Sequence, residues 1–540
     1  MTDKAQRVLL LLVLALGALL LFFDLDRYDL WGDEVLSFPK GETFSQMLEW
    51  VKWVPSQVHP PLYNVVQFFW GAWFVGDSPG GNRLLYALSG FFALVLVYLL
   101  GKDLFNHRVA LIATLLAATS PFLVEYSRMV RYYPLTGMLV LLTIWTFLRL
   151  YRNPSWGNWL FFSMSGALLI YEDYLGWTIL LVLYLYLLVN FSTIRPQITK
   201  WLLAALVMLI LFSPWIPVLT SQLGKESSPY PEHVERVEKD TPRVAQRGFG
   251  LAGFASSLVI KIGYLGYVFT VGETTYFWNW AVVLPIIFVY LILVWRAIAL
   301  IRKRGEKDHR FLFFVFFVSW LILLILSEIY SVFSTRAFQL PSKIMFLLPL
   351  FLLLIANGWS MIKSAPLRIA LLVVLMAGNA YGVSNYFRGE QFLNPKFLVS
   401  WEQIQADIEE EADPQDLILT DEEALVHYLH TTHSPIEEFG LVGALEKVDS
   451  VLVDRGPHHV YLVIRYRGDE VIVMEGMKVN LQLSARYQMV DTWHYLPLDP
   501  EAAPYWKRFL GRDPKPYMVE VFIYKVEPEE PAVNESGPNP

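Results

Sequence analysis

The sequence predicts a polytopic α-helical membrane protein that carries a soluble C-terminal domain. Of its 540 residues, 55% are hydrophobic, and the mean hydropathy is +0.40. Charged residues make up 17% of the chain, whereas soluble domains carry about 25%. These charges are scarce inside long apolar runs and dense after about residue 386. Such a distribution is typical of a membrane domain followed by a soluble one.

Composition also excludes several kinds of site and partner. The chain has no cysteine, which excludes disulfides, thiolate metal sites and cysteine nucleophiles. No basic stripe appears outside short loops that flank apolar runs, so no nucleic-acid partner is expected.

About eleven runs approach the roughly 20 apolar residues that a bilayer-spanning helix needs. The first run follows Lys4 and Arg7 and has no small-residue cleavage site after it, which predicts a retained helix rather than a signal peptide. A further apolar stretch, 252–272, is interrupted by Lys261 and several glycines, and we expect it to be a re-entrant or interfacial piece within a long loop, with a further span as the alternative. The spans are predicted at residues 8–23, 84–100, 109–124, 134–150, 158–171, 175–191, 201–219, 279–301, 310–328, 341–361 and 366–385.

Basic residues indicate the orientation. With a cytoplasmic N-terminus, nearly every short cytoplasmic loop is basic, the strongest being the cluster that begins at Arg302. The loops 24–83 and 220–278 and the C-terminal domain are then extracytoplasmic. We therefore expect a multi-pass membrane protein with a membrane domain over 1–385 and a soluble domain over 386–540.

The soluble domain mixes helical and strand-like patterns, which predicts a small α/β or α+β domain. Its last dozen residues, rich in Glu, Pro and Asn, are expected to be a disordered end. The predicted elements are a helix at Trp401–Ala412 and strands at Leu417–Leu419, Val460–Arg465, Val471–Met474 and Val519–Val526.

The first outer loop contains an acidic pair, Asp33 and Glu34. The pair has two interpretations of equal weight, solvated loop charges or a chemical site. In the second, a carboxylate near an apolar boundary serves as a general base, or the pair binds a cation. We expect the flanking Trp31 to seat the loop at the membrane interface.

The same loop continues with a His59-Pro60-Pro61-Leu62-Tyr63 segment, and Arg83 stands at the start of the second span. Paired prolines favour a rigid, extended backbone. By itself the segment is compatible with an ordinary loop, and Arg83 with a snorkelling interface residue.

Further cations occur on the side where the positive-inside rule expects few. Arg128 and Arg131 lie among tyrosines, and Arg336 and Lys343 stand at the outer end of a late span. They indicate an anionic partner such as a phosphate, although pairing with Glu125 or Glu172 is an alternative. A second acidic pair, Glu172-Asp173, separates two apolar spans, a depth at which charges tend to be functional or paired.

The order of these motifs resembles the bacterial branch of the GT-C superfamily of glycosyltransferases. This branch is related to the dolichyl-phosphate-mannose protein mannosyltransferases and to the lipid A aminoarabinose transferase. The resemblance covers about residues 1–385. One departure is Asp173-Tyr174, where relatives often have His-Tyr, which places any histidine-dependent metal role there in doubt. The matching residues are Asp33, Glu34, His59 to Tyr63, Arg83, Tyr126, Ser127, Arg131, Tyr133, Leu135 and Lys343.

The resemblance implies a GT-C fold, a location in the bacterial inner (plasma) membrane, and an inverting sugar transfer from a polyprenyl-phosphate donor. Asp33 would be the general base, and Glu34 would support it or position the acceptor, which is a glycan, a lipid or a protein. No cofactor is required, although a divalent cation at the acidic pair is possible; membrane lipid is the other expected partner. The substrate-binding residues implied are His59, Pro61, Tyr63, Arg83, Arg128, Arg131, Tyr133, Glu172, Asp173, Arg336 and Lys343.

Two other interpretations remain. A transporter would also have many spans and buried charges, but it would usually show paired repeats and broken midplane helices, which are not evident here. A catalytically inactive scaffold of the same fold is the other alternative. An oligosaccharyltransferase-like member is less well supported, because the Trp-Trp-Asp signature of that branch does not occur in the chain.

Overall fold

The structure is a computed structural model of the full chain. It describes residues 3–53, 59–75, 78–224, 251–302, 307–329, 341–466, 470–510 and 515–527. These residues form two compact units, each of which is described by itself. The first unit comprises the described residues of 1–26 and 37–393, and the second comprises those of 27–36 and 394–540.

The first unit is helical throughout its described part. Helix α2 and helices α19 to α23 belong to the second unit instead. In chain order the helices are α1 (Asp3–Phe22), α2 (Gly32–Val35), α3 (Phe44–Trp53), α4 (Leu62–Trp70), α5 (Pro79–Leu104), α6 (His107–Ala118), α7 (Pro121–Ser127), α8 (Tyr133–Arg152), α9 (Trp156–Glu172), α10 (Trp177–Val189), α11 (Phe191–Ile194), α12 (Ile198–Phe212), α13 (Ile216–Gly224), α14 (Leu251–Thr270), α15 (Trp280–Ile301), α16 (Lys307–Ile329), α17 (Leu348–Ser360), α18 (Ala365–Arg388), α19 (Trp401–Glu411), α20 (Glu423–Thr431), α21 (Ala444–Arg455), α22 (Glu470–Arg486) and α23 (Ala503–Leu510). A π-helical turn follows α4 at Gly71–Val75, and a 3-10 segment, Pro341–Leu347, leads into α17.

Local sequence explains several helix ends. The Ser78 hydroxyl accepts a hydrogen bond from the Gly81 N–H, and proline follows at the first position of α5. Asn106 caps α6 by accepting from the N–H groups of Arg108 and Val109. Helix α18 ends at Gly389, whose φ of +71° is readily adopted only by glycine.

Eight described helices, one of them the combined stretch Phe191–Gln222, are long and apolar enough to cross a bilayer, or nine if the bent pair α6–α7 counts as one span. The predicted number of about eleven is therefore not confirmed. The 109–124 span is broken by a 60° bend, because Ser120 caps a new helix that starts with proline. Helices α9 and α10, with 17 and 13 residues, are shorter than a full span. The prediction of a multi-pass membrane protein is confirmed.

The apolar stretch predicted to be re-entrant or interfacial forms helix α14. Its Leu258–Thr270 part is apolar but too short for a full crossing. The preceding part of the predicted outer loop, residues 225–250, lies outside the described residues. The first outer loop is not irregular either, since α2, α3 and α4 all form within it.

The second unit is built on a five-stranded mixed sheet in the order β2-β1-β3-β5-β4. Strand β1 is parallel to both β2 and β3, whereas β5 is antiparallel to β3 and β4. The predicted soluble fold, helices with a small sheet, is thus confirmed. The strands are β1 (Leu417–Leu419), β2 (Glu437–Phe439), β3 (His458–Arg465), β4 (Gln488–Pro497) and β5 (Tyr517–Val526).

Two details of the soluble region differ from prediction. The strand predicted at Val471–Met474 is wrong, because these residues belong to α22, where buried Val473, Val479 and Leu483 recur at helical spacing. The first unit ends at Leu393 rather than at residue 385, since α18 continues to Arg388. The predicted disordered end falls on residues 528–540, outside the described part of the chain.

Candidate active site

The acidic pair lies in helix α2, a single turn within the second unit. Trp31 precedes the turn in an extended conformation, and its carbonyl accepts from the Glu34 N–H at 2.8 Å. In return, the Trp31 N–H donates to the Glu34 carboxylate at 3.4 Å. Glu34 is completely buried, whereas Asp33 is partly exposed. The turn therefore fixes Glu34 and leaves Asp33 the more accessible carboxylate.

Trp31 does not match the expectation of a residue seated at a membrane interface. Its side chain is only 7% exposed and packs against Phe397, with ring centroids 4.8 Å apart. The Lys396 ammonium lies 3.9 Å from the centre of the Trp31 ring. The indole is therefore a core residue of the second unit, because aromatic and cationic neighbours from the C-terminal region cover it.

Charged residues of the C-terminal region surround Asp33. Arg465 donates from Nε to Glu422 at 2.8 Å, and both side chains are largely buried. Although burial of Arg465 acts to lower its pKa, the carboxylates of Glu422, Glu423 and Asp33 raise it above its ordinary value. Burial raises the pKa of Glu423, and the negative charges of Glu422 and Asp33 raise it further. Asp33 thus belongs to a network of three carboxylates around one guanidinium.

A second group of polar residues, the His59 cluster, forms within the first unit. We define it as His59, Arg131, Asp173 and Lys343, which come from four distant parts of the chain. Burial, together with the positive charges of Arg131 and Lys343, lowers the pKa of His59 to about 3. Burial raises the pKa of Asp173 to about 7, against the opposing effects of the Leu175 N–H and of Lys343. His59 is therefore neutral at ordinary pH, and the positive charge of the cluster comes from Arg131 and Lys343.

Hydrogen bonds and rings fix Arg131. Its guanidinium donates to the Ser37 hydroxyl at 3.1 Å and to the Tyr133 hydroxyl at 3.3 Å. The same group lies 5.6 Å from the centre of the Tyr132 ring and 5.3 Å from that of Tyr133. The ring of His59 lies 4.4 Å from that of Tyr132. Hydroxyl groups and aromatic rings thus hold the Arg131 guanidinium in one orientation, and these contacts do not neutralise its positive charge.

Two buried polar atoms of the cluster have no hydrogen-bond partner among the residues that the structure describes. These atoms are Nδ1 of His59 and Oδ2 of Asp173; the other carboxylate oxygen of Asp173 accepts from the Leu175 N–H at 3.2 Å. Buried polar groups are nearly always paired in proteins. The two atoms therefore offer contacts to a polar ligand.

Pro61 and Tyr63 shape the wall beside this cluster. Pro61 is the residue before α4, where its carbonyl accepts from the Val65 N–H at 2.9 Å. Tyr63 is buried, and its ring lies 5.9 Å from that of His59 and 5.8 Å from that of Tyr132. The paired prolines therefore start a helix rather than continue an extended loop, and this helix supplies Tyr63.

Arg128 and Arg83 have contacts of another kind. The Arg128 guanidinium, 2% exposed, donates to the backbone carbonyls of Leu20, Leu21, Phe23 and Asp24 at the end of α1. Cations are favourable at a helix C-terminus, where carbonyls lack partners.

Arg83 is also buried and donates to the Leu25 carbonyl at 2.9 Å. The structure therefore assigns both arginines contacts with the backbone at the end of the first helix. Arg336 lies outside the described residues.

Pairing of the arginines with Glu125 or Glu172 is not found. The carboxylate oxygens of both glutamates are buried and have no hydrogen-bond partner within the described ranges. Glu172 ends α9 directly before Asp173. Glu172 thus lies next to the His59 cluster along the chain.

Sequence reasoning missed Ser37, Tyr132, Glu422, Glu423 and Arg465. No motif marks them, since Ser37 is an ordinary loop serine and the last three lie far along the chain. Tyr132 could have been found from its position between Arg131 and Tyr133.

Known structures resemble the whole chain. ArnT from Cupriavidus metallidurans bound to undecaprenyl phosphate is 14% identical, with a TM-score of 0.58 over 100% of both chains. The apo state of the same ArnT is 15% identical, with a TM-score of 0.55 over 97% of this chain and 98% of that one. The chain has the GT-C fold. At these identities the likeness establishes the fold alone, and the predicted resemblance is confirmed at that level.

Two further comparisons agree with a GT-C fold. Residues 58–217 match the family described as Dolichyl-phosphate-mannose-protein mannosyltransferase. The Archaeoglobus fulgidus oligosaccharyltransferase in complex with Zn and sulfate is 12% identical, with a TM-score of 0.50 over 91% of this chain and 72% of that chain. Comparison with curated proteins by sequence gives no match.

The possible divalent cation at the acidic pair finds little support. In the described part of the chain, no group of three or more His, Asp or Glu side chains is arranged to hold a metal ion. Asp33 and Glu34 differ in exposure, since Asp33 is partly exposed and Glu34 is completely buried. The residues present at the pair therefore do not fit a resident metal ion.

Proposed function

We propose that the chain is a membrane glycosyltransferase that moves a sugar from a polyprenyl-phosphate-linked donor to an acceptor hydroxyl, with inversion. The observation that carries this proposal is the His59 cluster, where Arg131 and Lys343 stand beside two unpartnered buried polar atoms. Such a group suits the phosphate of a lipid-linked donor. The GT-C fold supports the same donor class, since ArnT with this fold is bound to undecaprenyl phosphate.

The reaction requires one displacement. Asp33 accepts the proton of the acceptor hydroxyl as its oxygen forms a bond to the anomeric carbon. The bond between that carbon and the phosphate oxygen breaks from the opposite face, and the polyprenyl phosphate leaves with the electron pair. Arg131 and Lys343 stabilise the negative charge that develops on the phosphate. Electrons and protons balance without any redox partner.

The remaining residues orient the reactants. Glu34 fixes the turn that carries Asp33. His59, which is neutral, and Asp173 offer hydrogen bonds to the sugar or the phosphate. Pro61, Tyr63 and Tyr133 shape the wall beside the His59 cluster. Glu172 is the last residue of α9, directly before Asp173, and is a further candidate for substrate binding. Arg83 and Arg128 donate to backbone carbonyls at the end of α1. Arg336 remains a further candidate for binding the phosphate.

The basic loops support a cytoplasmic N-terminus, with the catalytic loops and the C-terminal unit on the extracytoplasmic side of a bacterial inner membrane. The acceptor there is a glycan, a lipid or a protein.

The test uses the purified full-length protein in nanodiscs. Undecaprenyl-phosphate-linked hexose and aminopentose donors, each radiolabelled, are supplied with extracted envelope glycans, lipids and proteins as acceptors. Asp33→Asn is expected to lower transfer by about 10²- to 10⁴-fold, the usual contribution of a general base. Glu42→Gln, which changes an exposed carboxylate in the same outer loop, is the matched control and should retain full activity.

Each contrary result has a defined meaning. Full activity of Asp33→Asn shows that Asp33 is not the base. Absence of transfer from every donor, in a wild-type protein that still binds undecaprenyl phosphate, shows an inactive scaffold instead.

A further inference from the structure

The segment before the acidic pair is hydrogen-bonded to two helices of the C-terminal region. The Asp29 carboxylate accepts from the Glu402 N–H at 2.8 Å and so caps the start of α19. The Leu30 N–H donates to the Tyr428 hydroxyl of α20 at 3.0 Å. These bonds join residues that lie more than 370 positions apart in the sequence.

The same segment is part of the core of the second unit. Leu30 and Glu34 are completely buried, and Trp31 is 7% exposed. Trp31 is covered by Phe397 and Lys396, from the residues that lead into α19. Anchored side chains thus stand on both sides of Asp33.

The start of α20 also lies close to Gly32. A Cβ atom at this position would lie 3.2 Å from Oε2 of Glu423, the first residue of α20. The Glu423 carboxylate therefore packs closely against the backbone of the acidic pair. Arg465 of β3 completes the surroundings, since its guanidinium pairs with Glu422 and acts on Asp33.

A turn of four residues cannot hold its own conformation. Helix formation requires a costly first turn, and isolated helices shorter than about 12 residues are marginal in water. Catalytic geometry tolerates little movement, because a misplacement of about 1 Å can cost about 10²-fold in rate. The conformation of residues 29–34 must therefore come from their tertiary contacts.

We propose that the C-terminal region is a positioning part of the active site, with Tyr428 and Arg465 as positioning residues for Asp33. The inference rests on the proposed function, in which Asp33 is the base. It gives the soluble domain a role within the transfer reaction itself, in addition to any contact with an acceptor. Tyr428 holds the backbone before the pair, and Arg465 holds the charged groups around Asp33.

The test compares two positioning variants with two matched controls in the full-length protein. Tyr428→Phe removes the acceptor of the Leu30 N–H, and Arg465→Gln removes the guanidinium; Arg465→Lys is the conservative variant. Tyr487→Phe and Arg486→Gln are the controls, because both residues pair with Asp449 in the same unit. All variants are melted thermally, so that loss of folding is detected.

Hydrogen–deuterium exchange of the peptide covering residues 27–36 is the first measurement. We expect Tyr428→Phe to speed exchange of this peptide about tenfold, as the loss of one buried hydrogen bond implies. Steady-state transfer from the donors above is the second measurement. Both positioning variants should lower kcat about tenfold and leave the donor KM unchanged, and Arg465→Lys should recover part of the loss.

The outcomes separate this inference from the proposed function. Unchanged exchange in Tyr428→Phe overturns the inference, as does faster exchange with a kcat equal to that of Tyr487→Phe. If Arg465→Gln does not fold, Tyr428→Phe alone decides. If the wild-type protein transfers no sugar, the proposed function fails, and a positioning role in transfer fails with it, whereas the exchange data still establish whether the C-terminal region holds the segment.

Discussion

The acidic pair and the His59 cluster are assembled in opposite ways. Asp33 and Glu34 are neighbours in the sequence, and the C-terminal region holds them from outside through Tyr428 and Arg465. The His59 cluster instead gathers side chains from the turns and loops between helices, and burial keeps its histidine neutral. In the second unit, Arg465 forms an ion pair with Glu422 near Asp33, whereas the cluster places Arg131 and Lys343 near unpartnered polar atoms of His59 and Asp173. The comparison teaches that the proposed base and the proposed phosphate site can be disturbed independently.

The largest effect should come from Arg131. Arg131→Gln is expected to lower transfer by about 10²- to 10³-fold, since a fixed donor to a developing anion contributes about 3–4 kcal/mol. Single-turnover transfer from the radiolabelled donors measures it. Arg149→Gln, at the opposite end of α8, is the control and should be nearly as active as wild type. Equal activity of the two variants would remove Arg131 from the phosphate site.

Arg128 should behave differently, although it stands three residues before Arg131. Arg128→Gln leaves several carbonyls at the end of α1 without their donor, and this is expected to cost about 3 kcal/mol of folding stability. The thermal midpoint in detergent should fall, whereas that of Arg131→Gln should stay near the wild-type value. If Arg128→Gln kept the wild-type thermal midpoint but lost transfer activity, Arg128 would act in the reaction rather than at the end of α1.

The smallest effect concerns His59 and pH. Its pKa is lowered from 6.5 to about 3 in the folded protein, so its contribution to stability is complete above pH 6.5 and is lost as pH falls toward 3. At pH 5 the loss is about 2 kcal/mol. His59→Gln should therefore gain about this much relative to wild type between pH 7.5 and pH 5. Thermal melts at the two pH values measure it, and a constant difference between the proteins would contradict the burial of a neutral histidine.

Sequence patterns anticipated much of the architecture. The runs that became α5, α8 and α15 were predicted from apolar composition alone, since a long apolar helix carries its signal in consecutive residues. The predicted number of membrane spans was not confirmed at α9 and α10, because both helices are shorter than a full span. The strand predicted at Val471–Met474 failed because a short apolar run is compatible with either structure until its partners are known.

The choice of site residues used two kinds of sequence signal. His59, Arg131 and Lys343 were chosen from motif order, and Asp173 because charges between apolar spans tend to be functional or paired. The structure places these four residues close enough to interact electrostatically, and that they form the phosphate site stays a prediction. Arg128 was chosen as a cation on the side where few are expected, but its guanidinium donates to backbone carbonyls, a contact that the sequence does not reveal.

The sequence by itself determined a multi-pass membrane protein with a C-terminal region of mixed helices and strands, and it marked an acidic pair after the first apolar helix. Hydropathy and motif order are properties of neighbouring residues, so the sequence alone is enough to predict these features. Only the tertiary structure decided that Asp33 and Glu34 belong with Tyr428, Glu422 and Arg465. Contacts between residues hundreds of positions apart depend on which surfaces pack together, and that choice is made by the whole fold.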